Sequence, residues 1–328
     1  MTGKKWTKGI AVALVALGVG AGVAQAEPLK IGYSDWPGWT AFEIGIQKGW
    51  FKDEGVDVQF EWFDYLPSMD AFAAGKVDAV TMTNGDALVT GANGAKSKFI
   101  LITDYSNGND KIVALPGIKS ITDLKGKKVG LEVSLVEHLL LLKGLEKFGM
   151  KQEDVELVKV TTNETPQTLA SKQVSAIGAW YPISSEALKS VPGSTAVWTS
   201  ADAPGLIYDV LAVSPQSLSK HKAEWAKVVK VWYKISDYVR DPATQMDAAK
   251  IMAAKVGVKP EDYAAAIPGT YFLTAKEAAK VYVKGDGLDS MYGSTVVAND
   301  FNVKNEVYPE SQKAEEYIYP DFVTDLAK

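Results

Sequence analysis

The sequence predicts a two-lobed α/β fold in which the chain passes between the lobes twice. Three observations predict it. Strand-like and helix-like segments alternate, which implies parallel sheet joined by right-handed crossovers. One set of segments is echoed at a nearly constant offset of 97 or 98 residues. Turn-rich stretches stand between the two sets, and 328 residues are too many for one small core.

The first 26 residues carry Lys4, Lys5 and Lys8, an apolar run from Ile10 to Val23 and the small-x-small triplet Ala24-Gln25-Ala26. This pattern reads as a secretory signal peptide cut after Ala26, because the run is short and rich in Gly and Ala for a membrane anchor. The mature chain then begins at Glu27, free in the periplasm. Next come "LKIGY" (29 to 33), "VDVQFEWF" (56 to 63) and "VDAVTM" (77 to 82), which read as strands separated by helical stretches near 40 to 50 and 67 to 75.

The echo follows. Phe72, Val77 and Ala79 match Leu169, Val174 and Ala176; Phe51, Asp57 and Val58 match Phe148, Asp154 and Val155; "IGY" at 31 matches "VGL" at 129. Between the sets lies "FILITDYSNGNDKIVALPG" (99 to 117), a strand, a polar turn and a strand, as a crossing requires. A return is expected near "GLIYDVLAVSP" (205 to 215), followed by long amphipathic helices such as "EWAKVVKVWYKISDYV" (224 to 239) packing back on the first lobe. The expected organisation is a leader over 1–26, a first lobe from 27–111 and 209–328, and a second lobe over 112–208. Two crossings imply a hinge. The tail after Gly269 has no assignable fold.

Composition excludes several classes. The chain has 35 basic and 40 acidic side chains, a formal charge of −5, and removing the leader lysines makes it more acidic. No basic cluster exists for nucleic acid or anionic membranes. With no cysteine there is no thiol nucleophile, thiolate metal site or lipid-anchoring cysteine. Two distant histidines, with no G-x-S-x-G elbow or phosphate-cradling loop, argue against catalysis. An all-oxygen metal site is the third class, and the aromatic residues have no use in it. No cofactor is expected.

The leader, "DWPGWTAFEIGIQKGWFKDEGVDV", "FAAGKVDAVTMT", "DYSNGND" and "IKSITDLKGKKVGLE" together resemble periplasmic solute-binding proteins of the nitrate, sulfonate and taurine class of ABC importers, over roughly residues 28 to 270. The Trp-rich first loop and "DYSNGND" resemble most those carriers found beside urea or guanidine carboxylase pathways. The resemblance implies a type II periplasmic binding protein-like fold, no enzymatic activity, a monomer, and ABC permease subunits as partners. Related two-lobed folds include enzymes that build the thiamine pyrimidine.

In such a fold the ligand lies between lobes, outside the carboxyl ends of the strands. The candidate contacts are therefore Asp35, Trp36, Trp39, Tyr65, Thr83, Asn84 and Asp86 from the first lobe, and Asp104 and Asp110 from the crossing. Glu132, Trp180 and Tyr181 come from the second lobe and Asp209 from the return. Carboxylates and aromatic rings dominate this set. Arginine, which clamps anions through its planar fork, is absent from it: Arg240 ends a predicted helix, and only Lys111 is near. Rings with carboxylates suit a guanidinium or ammonium ion.

Several of these residues also have a structural reading. The Pro-Gly pair in "DWPGW" predicts an irregular turn that leaves Trp36 and Trp39 near the surface, lining a cleft or packing between loop and lobe. Asp86 is placed to cap a helix, Asp104 and Asp110 to shape the crossing, Glu132 to pair with Lys127 or Lys128, and Trp180 and Tyr181 to close a core. His138 caps or packs, and His221 is expected to be exposed. The ligands left open are guanidine, methylated guanidines, small amines, urea and a pyrimidine precursor, with taurine, alkanesulfonate or nitrate as the anionic alternative.

Overall fold

The structure is a computed structural model that describes residues 1–3 and 27–328. The expected leader therefore lies, apart from its first three residues, outside the described residues. Eleven strands follow in order among the described residues: β1 (Leu29–Tyr33), β2 (Val58–Trp62), β3 (Ala79–Thr83), β4 (Lys98–Ser106), β5 (Lys111–Ala114), β6 (Lys128–Leu131), β7 (Glu156–Lys159), β8 (Ala176–Ala179), β9 (Thr195–Thr199), β10 (Tyr208–Val213) and β11 (Thr270–Phe272). They form two sheets, ordered β11-β4-β10-β3-β1-β2 and β7-β6-β8-β5-β9.

The echo in the sequence is an echo in register. Ile31 pairs with Phe60 and Ala79 in the first sheet, and Val129 pairs with Leu157 and Ala176 in the second, all parallel. The glycine after Val129 is there for packing, whereas the one after Ile31 has ordinary room around it. A Cβ on Gly32 would stand 3.5 Å from Phe63 and 3.6 Å from Val77, and one on Gly130 3.2 Å from Val160 and 3.3 Å from Val174. Helices cover the central strands, so β3 and β8 are buried throughout and read as continuous apolar or small-residue runs.

The first crossing joins β4 to β5 through residues 107–110, and the second joins β9 to β10 through 200–207. The return thus ends in the first three residues of the expected "GLIYDVLAVSP", whose residues 208–213 are β10 itself, running antiparallel between β3 and β4. The two crossings are bonded together: the Ser106 and Ser200 hydroxyls lie 2.6 Å apart, and Gly108 N–H donates to Ser200 Oγ at 2.7 Å.

The helix Lys222–Arg240 packs beneath the first sheet, with Trp225 and Trp232 fully buried and Trp232 against Phe42 at a ring distance of 4.6 Å. Burying each such aromatic side chain contributes about 1.5–3 kcal/mol by the usual area relation. The tail resolves into definite structure. β11 adds an edge strand to β4, and the helix Met291–Lys304 docks on the helix Asn84–Ala92. Asn84 Nδ2 donates to the Ser294 and Thr295 hydroxyls there, at 3.1 and 3.2 Å.

Candidate functional site

The carboxyl ends of β1, β3 and β8 converge between the sheets. Asp35, Trp36 and Trp39 follow β1. The proline and glycine do not make an irregular turn; Pro37 opens a helical turn, Pro37–Thr40, where its missing N–H is no loss. The turn rolls both indoles inward, leaving Trp36 3% and Trp39 2% exposed, so neither lies near the surface as expected. Gly38 is required by a neighbour. A Cβ there would fall 1.7 Å from Asp104 Oδ2, and that carboxylate sits on the glycine while its Oδ1 accepts from Trp36 Nε1 at 3.0 Å.

Trp36, Trp39, Tyr65, Thr83, Asp110, Val136, Trp180, Ile207 and Asp209 enclose a small chamber of about 10 Å³. Such a volume admits roughly one water, so a larger guest must part the walls. Trp39 stacks on Tyr65, ring centres 5.2 Å apart at 23°, and Trp180 meets Tyr65 edge-on at 5.3 Å and 79°. The Tyr65 hydroxyl donates to Asp86 Oδ2 at 2.7 Å and accepts from Thr83 N–H at 3.1 Å. Trp180 Nε1 reaches over from the second sheet to donate to Asp35 Oδ1 at 2.9 Å.

Seven carboxyl groups surround this chamber: Asp35, Asp86, Asp104, Asp110, Glu132, Glu137 and Asp209. All titrate above the ordinary carboxylate range, and burial is the leading cause for each. Asp35 is raised to about 6 and Asp86 to about 7. Asp209 and Glu137 are raised furthest, each by burial and then by a neighbouring acid, Asp104 and Asp110 respectively. Among the described residues, no N–H or hydroxyl donor reaches Asp110 Oδ2, Glu132 Oε2, Asp209 Oδ2 or either oxygen of Glu137. Lys111 is the nearest cation. Its ammonium turns away to Asn109 O at 3.3 Å and faces an outer groove rather than the chamber.

Several expected contacts serve other ends. Thr83, not Asp86, caps the helix Asn84–Ala92, its Oγ1 accepting from Asp86 N–H at 3.0 Å. Asn84 is spent on the tail and on Tyr208 N–H, which its Oδ1 accepts at 3.3 Å. Glu132 accepts from Thr162 N–H at 3.1 Å, whereas Lys128 pairs with Glu156. Tyr181 lines the outer groove with its ring edge-on to Tyr263 at 5.3 Å. Arg240 binds Glu277 and Phe272 O and is not among the chamber's lining. His138 packs, accepting from Ser134 N–H, and His221 is half-buried rather than exposed.

The outer groove, about 770 Å³, runs between the helix Ile183–Ser190 and the segment Val256–Ala266. It is larger than the chamber, but its chemistry is that of a wet surface, with Lys189 and Asp262 bridging it at 2.7 Å. Two residues of the lining, Val136 and Ile207, were not singled out in the sequence, nor was Glu137, which lies behind Asp110 and outside the lining. Glu137 sits in the first turn of the helix Val136–Lys147, where an acid ordinarily complements the helix dipole. Its one signal is that "VEHLLLLKGL" is otherwise almost wholly apolar on that side.

The NMT1/THI5-like family profile matches residues 36–244, well over half of the chain. The chain belongs to the NMT1/THI5-like family. A Brucella abortus relative named as a binding protein is 33% identical over 182 residues, 55% of this chain and 56% of that one, so the match spans little more than half the relative's length. Among solved structures, the fold is that of the periplasmic aliphatic sulphonate-binding protein SsuA of Escherichia coli, with TM-score 0.74, 18% identity, and 90% and 92% of the two chains covered. The periplasmic nitrate-binding protein NrtA of Synechocystis PCC 6803 matches with TM-score 0.70 and 11% identity over 92% and 88%. The desulfurization enzyme DSZB also matches, with TM-score 0.63 and 16% identity over 90% and 98%. These structural likenesses establish a two-sheet periplasmic binding protein-like fold.

Proposed function

We propose that this chain is the solute-capturing component of an ABC importer, that it works in the periplasm, and that its ligand is a small organic cation of the guanidinium type. The two lobes, 27–111 with 209–328 and 112–208, close on the ligand and present the closed form to a permease. One observation carries the ligand class: a chamber walled by three tryptophans and a tyrosine, with unpartnered oxygens of Asp110 and Asp209 facing in from either sheet and no lysine or arginine among its lining. A planar cation satisfies both oxygens through its N–H groups and lies against the ring faces.

An anion would meet the Asp110 and Asp209 carboxylates there, with no lysine or arginine in the lining to offset them. Absence of cysteine and of a histidine in the chamber supports capture over catalysis. A second reading, a neutral planar amide such as urea, draws on Trp39 Nε1, a buried donor in the wall without an acceptor. Calorimetric titration with guanidinium, methylguanidinium, urea, taurine and nitrate tests the proposal, alongside a turnover control. Saturable guanidinium binding supports it, and tight taurine or nitrate binding without guanidinium binding overturns it.

A further inference from the structure

The four innermost acids are arranged as two pairs. Asp104 and Asp209 are cross-strand partners on β4 and β10, which sets their carboxyl groups side by side as hydrogen-bonding neighbours. Asp110, at the start of the second sheet, and Glu137, on the helix above it, form the other pair in the same way. Two carboxyl groups can share a hydrogen bond only when one of them carries a proton. The surroundings decide which one. Asp104 receives Trp36 Nε1 on one oxygen and the Thr103 hydroxyl on the other, at 3.0 and 2.8 Å, and two donors favour its ionised form. Asp209 has no donor on Oδ2, is 2% exposed, and looks toward Asp104, Asp110 and Asp86. Asp110 has the Ser106 hydroxyl and Lys111 beside it, whereas Glu137 is fully buried with no donor on either oxygen.

The other charged and titratable groups around the cluster are Asp35, Asp86, Glu132 and the Tyr65 and Tyr263 hydroxyls, with Asp64 and Lys159 at its rim. Lys111 is thus the nearest positive charge, and it lies outside the chamber.

Asp209 and Glu137 differ in one respect. Asp209 lines the chamber and Glu137 does not. We infer that the site binds its cation by proton exchange, the incoming cation taking the place of a proton on Asp209 while Glu137 keeps its own proton and holds Asp110 as a neutral donor. The inference rests on the cation reading above. The step balances: the Asp209 O–H bond breaks, its electron pair stays on the carboxylate, and the proton leaves to water as the cation enters with one positive charge. The site's net charge is unchanged by binding.

The test is titration calorimetry with guanidinium chloride in buffers of different ionisation enthalpy at pH 5.5, 6.5 and 7.5. Release of close to one proton per cation bound, with affinity rising by up to about tenfold per pH unit, is expected where Asp209 is protonated before binding. Asp209→Asn should bind more weakly, release far less than one proton and lose most of the pH dependence between pH 6.5 and 7.5. Glu137→Gln, which keeps a donor toward Asp110, should leave proton release and affinity near the parent values. Melting curves check that both variants fold. Cation binding with no proton release and a flat pH profile overturns the exchange while leaving the cation reading intact. Loss of release in Glu137→Gln overturns the assignment to Asp209, and absence of cation binding overturns both readings.

Discussion

Trp180→Phe isolates the bond that reaches from one sheet's body to the other's across the chamber. The substitution keeps a ring against Tyr65 but removes the Nε1–H that reaches Asp35 at 2.9 Å. A hydrogen bond to an ionised acceptor contributes about 1.5–3 kcal/mol. Asp35 is half-buried, which favours the lower end. A loss of about 1.5 kcal/mol from the closed form alone lowers ligand affinity about tenfold, because a ligand made at home in the closed form must then supply that difference. The sign with pH is fixed by Asp35. Burial raises its folded pKa to about 6, so below that value the acceptor is protonated and the bond weakens. The effect of Trp180→Phe should therefore be largest near pH 7.5 and shrink toward pH 5. Calorimetric affinities at both pH values, with paired-label distances across the cleft, measure it. An affinity within twofold of the parent at pH 7.5, with the same closed distance, would refute the reasoning.

Other outcomes follow from the same geometry. Gly38→Ala forces the Asp104 carboxylate off its seat and breaks the Trp36 bond, costing about 1–3 kcal/mol of stability as overpacking does; a melting curve matching the parent's would contradict it. Asp110→Asn should weaken guanidinium binding by about 1.5–3 kcal/mol while the melting temperature holds or rises, since a buried charge is removed; unchanged affinity counts against a contact. Lys189→Met breaks the surface bridge to Asp262 and should change affinity by no more than about fivefold. Asp35 and Asp86 both have raised folded pKa values, about 6 and about 7, so the folded state holds more protons than the unfolded one from about pH 4 to about pH 7. Without ligand, stability from these groups falls as pH rises through that window, and guanidinium should restore it at pH 7.5; a melting temperature that climbs steadily from pH 4.5 to 7.5 without ligand would show the acids are not the controlling groups.

The parts of the fold that follow a simple period were legible in the sequence. Parallel strands buried on both faces made the apolar runs at 29–33 and 77–82, and repetition of the same strand, helix and strand made the echo at 129 and 174–176. Residues at strand ends were legible as well, because topology alone puts Trp36, Asp104 and Asp209 between the sheets. What local reasoning missed depends on distant partners. The Pro-Gly pair reads as a turn until the Asp104 carboxylate is seen resting on Gly38. Asn84 looks like a free amide at a strand end until the tail helix supplies Ser294 and Thr295. Glu137 reads as an ordinary first-turn acid, since nothing local says that the helix N-terminus is buried against Asp110. β11 is three residues long and takes its strand form from the open edge of β4, not from its own pattern.

The central claim is that the chamber is built for a positive charge. Its most direct test is competition on the wild-type protein at pH 7.5: guanidinium, urea, taurine and nitrate are titrated separately, then against one another, with tryptophan fluorescence reporting on Trp36, Trp39 and Trp180. Saturable binding of guanidinium that urea, taurine and nitrate cannot displace at equal concentration is the predicted result. Saturable binding of taurine or nitrate, with guanidinium silent, would contradict the account.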